Sequence, residues 1–118
     1  MSISSHGSLE KEIMNAVWTM EENSNNIQFI EISVGDVVNF INSNNSAPKA
    51  YTTVKTVMDR LTDKKYLERI KSGKKFCYKS IYSRNERIKL EIKNMAIQYF
   101  NNDIKSLMKV IEKECLIK

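Results

Sequence analysis

Between Lys49 and Ser80 the sequence KAYTTVKTVMDRLTDKKYLERIKSGKKFCYKS places lysines, arginines and paired threonines first on a helical repeat, then on two alternating segments. Cations in that arrangement suit a polyanion. Ammonium and guanidinium groups neutralise phosphates, threonine hydroxyls reach phosphate oxygens, and threonine methyls can touch a thymine methyl. The charge is also localised. Residues 49–94 hold 14 Lys or Arg against five Asp or Glu, whereas residues 1–48 hold one Lys against six acids. A basic protein that is merely soluble has no need of such segregation, although charge alone fits a solvated face equally well. A helix running straight into a lysine-tipped hairpin adds a second signal, because a winged helix-turn-helix meets DNA in that order.

Periodicity supplies the elements that must carry these residues. Ser8 is placed to cap a first helix from Leu9, with Leu9, Ile13, Ala16, Val17 and Met20 on one face and Trp18 as a core anchor near its end. The polar run Glu21–Asn26 breaks that repeat, and the alternation from Ile27 to Ile32 predicts a short strand. Ser33 and Asp36 form a capping pair that opens a second helix striped by Val34, Val37, Val38 and Ile41. Asn42–Pro48 reads as a loop. The third helix runs from Lys49 or Ala50 to Lys64, with Val54, Val57, Met58 and Leu61 inward and Tyr51, Thr52, Lys55, Thr56, Asp59 and Arg60 outward. Adjacent Thr52 and Thr53 are mediocre helix formers, which points to a purpose other than helix stability. Strands Tyr66–Lys71 and Lys75–Ser80 flank Ser72-Gly73-Lys74, with Lys71, Lys74 and Lys75 at the tip and Leu67, Phe76 and Tyr78 expected to pack.

A second capping pair, Ser83 and Glu86, opens a helix from Arg84 to about Phe100 with Ile88, Ile92, Met95, Ala96 and Tyr99 on one face. Asn101-Asn102-Asp103 breaks it and caps a last helix striped by Ile104, Leu107, Met108, Ile111 and Cys115. A three-helix head cannot cover both stripes. A second copy of the chain is the natural acceptor, and a helical hairpin folded back on the head is the alternative. The expected fold is therefore mainly α with a small β-hairpin: a lead-in over residues 1–8, a winged helix-turn-helix over 9–82 and a helical dimerisation region over 83–118.

Composition narrows the function classes. At 118 residues and 42% hydrophobic content the chain supports one modest core. Its longest apolar runs are only a few residues, so no membrane span is expected, and the polar start MSISSHGS is no secretory signal. Cys77 and Cys115 lie far apart and outside any paired motif, which suits reduced thiols in the cytoplasm and argues against zinc. With His6 as the lone histidine and no nucleophile–base pair or glycine-rich phosphate loop, neither an enzyme nor a cofactor is expected. A winged-helix adaptor that binds protein rather than DNA remains the alternative, though it calls for a neutral or acidic third helix and hairpin.

LEKEIMNAVW, AYTTVKTVMDRL and KKYLERIKSGKKFCYKSIYSRNE together resemble the penicillinase and methicillin-resistance repressor family (BlaI/MecI type) across residues 9–87. The combination of T-T-V-x-T-x-x-x-R-L, K-K and an F-x-Y hairpin carries the resemblance. It implies a homodimeric repressor of the bacterial cytoplasm on a palindromic double-stranded operator. The third helix would lie in the major groove, the hairpin on the backbone, and the C-terminal helices would dimerise. Tyr51, Thr52, Thr53, Lys55, Thr56 and Arg60 become the groove-facing candidates, and Lys49, Lys71, Lys74 and Lys75 the phosphate candidates. Ile88, Ile92, Met95, Tyr99, Ile104, Leu107, Met108 and Ile111 become the dimerisation candidates.

The chain departs from the family in a longer, Asn-rich segment from Glu21 to Ser33. Classical members of the family are also cut at a C-terminal Asn-Phe bond. Here the order is Tyr99-Phe100-Asn101, and Asn39-Phe40 falls in the second helix. Cys115 alone does not reproduce the paired cysteines of copper-responsive relatives. These residues argue against release by proteolysis, and they leave the choice between a sensor protease and a small-molecule inducer open.

Overall fold

Local side-chain chemistry sets two of the helix starts. In the computed structural model, which describes residues 8–24, 31–44 and 47–116, Ser33 Oγ accepts from the Asp36 amide at 3.1 Å. The Asp36 carboxylate accepts in return from the Ser33 amide at 3.0 Å. Ser83 and Glu86 repeat the exchange at 3.1 and 2.8 Å. Each pair satisfies amide donors that a helix N-terminus otherwise leaves without partners. The order of elements is α1 (Ser8–Asn23), α2 (Val34–Ser43), α3 (Tyr51–Asp63), β1 (Leu67–Ser72), β2 (Lys75–Ser80), α4 (Arg84–Phe100) and α5 (Ile104–Val110). The chain divides into two units, Met1–Ile81 and Tyr82–Lys118.

In the first unit the apolar stripes of α1, α2 and α3 meet in one core, represented by Ile13, Val17, Val37, Val54, Met58 and Leu61. Trp18 packs half-buried against it, as expected of an aromatic near the end of α1. The hairpin closes one side of this core through Leu67 and Tyr78, both fully buried. Strands β1 and β2 pair antiparallel from Leu67 opposite Ser80 to Ser72 opposite Lys75. Gly73 in the connecting turn has φ +66°, and a Cβ added there would meet nothing within 4 Å. Backbone conformation, not crowding, therefore favours glycine. Two contacts tie the hairpin down from outside: the Tyr78 amide donates to the Ile32 carbonyl at 2.8 Å, and the Glu21 carboxylate accepts from the Ser80 amide and hydroxyl at 2.8 and 2.7 Å.

Several expectations shift. α1 begins at Ser8 rather than Leu9, α2 continues through Asn42 and Ser43, and β1 starts one residue later than expected. Residues 27–30 of the expected early strand lie outside the described residues, while Ile32 makes a single antiparallel bridge to Tyr78. Phe76 is corrected most. It shares a face with Leu67 and Tyr78, but it is 46% exposed because the core ends below it.

The end of α3 carries a local misfit. Lys65 adopts φ +68°, the left-handed position that lets the Tyr66 amide reach the Leu61 carbonyl at 2.9 Å. A side chain there costs roughly 1–2 kcal/mol, and glycine returns part of that gain through unfolded-state entropy. Lys65→Gly is therefore expected to raise stability by about 0.5–1 kcal/mol, read as a few degrees in the thermal midpoint.

In the second unit, Asn101 (φ +51°) and Asn102 (φ +68°) reverse the chain. Asp103 then caps α5 by accepting from the Lys105 and Ser106 amides at 3.1 and 3.4 Å. α4 and α5 pack together and bury Ala96 and Leu107. The last helix is not uniform. After Val110 it continues as a π-helical segment, Ile111–Cys115, closed by the Leu116 amide on the Ile111 carbonyl at 3.1 Å. Of the dimerisation candidates, Leu107 is buried inside the unit, whereas Ile88, Ile92, Met95, Tyr99, Ile104, Met108 and Ile111 are exposed. No helix among the described residues is long and apolar enough to cross a membrane.

Candidate nucleic-acid interface

At about 100° per residue, burying Val54, Val57, Met58 and Leu61 turns Thr52, Thr56, Asp59 and Asp63 to the far side of α3. Lys55 and Tyr51 then fall on the flank toward the hairpin, with Thr53 and Arg60 on the other. The contacts agree with this division. Lys55 Nζ and Asp59 lie on the hairpin side, while Arg60 sits 3.9 Å from Glu10 of α1 and Lys64 Nζ sits 2.9 Å from the same carboxylate. Tyr51, Thr52, Thr53, Lys55, Thr56 and Arg60 are all exposed. Thr56 Oγ1 donates to the Thr52 carbonyl at 2.9 Å, so its proton is engaged within the helix and its methyl and lone pairs remain for a ligand.

The entry to α3 is fixed by Asn42. Its side-chain nitrogen donates to the Lys49 carbonyl at 3.2 Å, and its oxygen accepts from the Lys49 amide at 2.8 Å. This clamp spans the α2–α3 turn and leaves Lys49 half-buried. On the hairpin, Lys71, Lys74 and Lys75 are exposed at the tip. Ser33–Gly35, Tyr51, Lys55, Lys75, Phe76 and Tyr78 line an open groove of about 400 Å³ between the start of α2, the start of α3 and β2. Lys55 and Lys75 thus share one concavity, whereas Arg60 and Thr53 lie on the opposite flank of α3.

One carboxylate joins the helix to the hairpin. Asp59 Oδ2 accepts from Lys55 Nζ at 2.9 Å, and Oδ1 accepts from the Tyr78 hydroxyl at 3.0 Å with the Arg69 guanidinium 3.5 Å away. The Arg69 guanidinium also lies over the Phe76 ring, 4.6 Å from its centroid. Burial works to raise the Asp59 pKa, but the hydrogen bonds from Lys55 and Tyr78 and the charges of Lys55 and Arg69 outweigh it and leave it below the ordinary value. Tyr78 moves the other way, raised by burial and by its bond to Asp59. Asp59, Arg69, Phe76 and Tyr78 were not among the residues the sequence singled out for the site. Alternation along β1 does set Arg69 beside Lys71, and Asp59 follows Lys55 by one helical turn, so part of the signal was present.

A family model described as penicillinase repressor matches residues 6–117. Comparison with curated proteins gives no match. Among the described residues no group of His, Cys, Asp and Glu side chains is arranged to hold a metal ion.

Proposed function

The chain belongs to the penicillinase repressor family, a family of DNA-binding transcriptional repressors, and from that premise we propose that it represses as a homodimer on a palindromic operator in the cytoplasm. Helix α3 enters the major groove and presents Tyr51, Thr52, Thr53, Lys55, Thr56 and Arg60 to base edges. Lys49, Lys71, Lys74 and Lys75 meet phosphates on either side. The exposed apolar residues of α4, α5 and the π-helical segment join two copies, and two-fold symmetry then requires half-sites about one helical turn apart. The observation that supports this reading is that Tyr51 and Lys55 of α3 line one open groove with Lys75 of the hairpin, while the other candidates on α3 and at the tip are exposed.

Each phosphate contact releases counterions and contributes about −0.9 to the slope of log affinity against log salt. Four lysine contacts on each of two protomers give a slope of about −7. Fluorescence anisotropy with a random-sequence duplex, titrated across salt concentrations, measures it. A flat salt response, or no micromolar-range binding at low salt, would sink the proposal and favour the adaptor reading.

A further inference from the structure

An acid at the outward centre of a helix meant for a polyanion is out of place. Asp59 is such a residue, and it is unusually well held. Its Oδ1 accepts from the Tyr78 hydroxyl at 3.0 Å, and Tyr78 is itself fully buried and fixed by the hydrogen bond its amide donates to the Ile32 carbonyl. A solvent-exposed ion pair normally breaks and re-forms at little cost, because both side chains are free to leave. Here the carboxylate is anchored from beneath, so Lys55 on Oδ2 and Arg69 on Oδ1 are drawn to a fixed point. Arg69 is further confined by the Phe76 ring. Two cations on the candidate interface are thereby pre-paired before any duplex arrives.

We propose that Asp59 is a specificity-determining residue that withholds Lys55 and Arg69 from the phosphates of indiscriminate duplex. This rests on the proposed reading of α3 and the hairpin as the DNA-binding face. Random DNA offers phosphates alone, and a phosphate must compete with a carboxylate already in place while the carboxylate repels it. A matched site offers base edges to Thr52, Thr56 and the rest of α3 as well, so the exchange is compensated there. Asp59 lowers affinity for all duplexes but lowers it most where only the backbone is engaged. It acts through Lys55 and Arg69 and is thus a positioning residue as well as a repulsive one.

The test compares Asp59→Asn with Asp63→Asn. Both remove one negative charge from the outer side of α3, but no ion pair to Asp63 is seen among the described residues. Full-length proteins are titrated with a random-sequence duplex, and with duplexes selected by the wild type from a randomised pool. A cation freed to reach a phosphate steepens the salt slope by about 0.9 and tightens binding about eightfold at roughly 0.1 M salt. Asp59→Asn is expected to show at least that change on random duplex for each protomer, with the ratio of selected to random affinity falling. Asp63→Asn should leave the slope unchanged, and adding Lys55→Gln to Asp59→Asn should cancel the share that Lys55 carries, about 0.9 in slope.

Thermal midpoints accompany every variant, and Asp59→Ser provides a second removal of the carboxylate should the amide disturb the fold. Equal slopes for Asp59→Asn and Asp63→Asn, or weaker random-duplex binding by a folded Asp59 variant, overturn the inference. Failure of the wild type to bind duplex at all would overturn the functional reading instead, so the two failures are distinguishable.

Discussion

Replacing Lys71, Lys74 and Lys75 together by glutamine is expected to weaken binding to random duplex about 100-fold for each protomer engaged. The magnitude follows from counterion release. At roughly 0.15 M salt each phosphate contact is worth about fivefold, and three contacts multiply to about two orders of magnitude. All three side chains are exposed at the hairpin tip, so the fold should be unaffected and circular dichroism should match the wild type. The salt slope should flatten by about 2.7 per protomer in the same titrations. Lys74→Ala alone should weaken every duplex alike, because a phosphate carries no sequence information. Thr56→Ala or Arg60→Ala should instead relax sequence preference. Identical factors on selected and random duplexes for Arg60→Ala and Lys74→Ala would remove this division of labour.

The second large effect is expected at the other end of the chain. Met95 is 46% exposed and Tyr99 is 73% exposed on α4, a helix in which Ala96 alone is buried. If a second copy covers that face, an aspartate at Met95 is buried without a partner, and two-fold symmetry places one such charge on each side. An uncompensated buried charge costs roughly 3–5 kcal/mol, so the pair costs about 6 kcal/mol or more and weakens association about 10⁴-fold. Met95→Asp should therefore sediment as a monomer at concentrations where the wild type is a dimer. Its operator affinity should fall with it, since one protomer engages one half-site. A wild type that sediments as a monomer, or a Met95→Asp protein that still dimerises, would refute the proposed interface.

How much of this was readable beforehand depends on the range over which each interaction acts. The Ser33–Asp36 and Ser83–Glu86 pairs were legible because both partners lie within one helical turn. The stripes of α2 and α3 were legible for the same reason, as was the break at Asn101–Asp103. Phe76 was misplaced because alternation assigns a face to a strand residue without saying how far the core extends beneath it. The π-helical segment left no mark, since its wider hydrogen bonding has no residue pattern that separates it from an α-helix. The link from Asp59 to Tyr78 and Arg69 joins residues on separate elements, and nothing in the order of the chain announces it.

The hairpin carries its own reporter. Cys77 is buried on the strand that also bears Tyr78, and burial, joined by the nearby Glu31 charge, pushes its pKa above the ordinary value, while Cys115 is exposed. Only the ionised sulfur attacks an alkylating reagent. Iodoacetamide should therefore reach Cys77 only through openings that uncover it, and should label Cys115, which shares a stripe with residues proposed to join two copies, faster in the free protomer than in the dimer. The rate at Cys77, set against that of the unfolded protein, is a clock for how often the covering of β2 opens, and bound duplex should slow it.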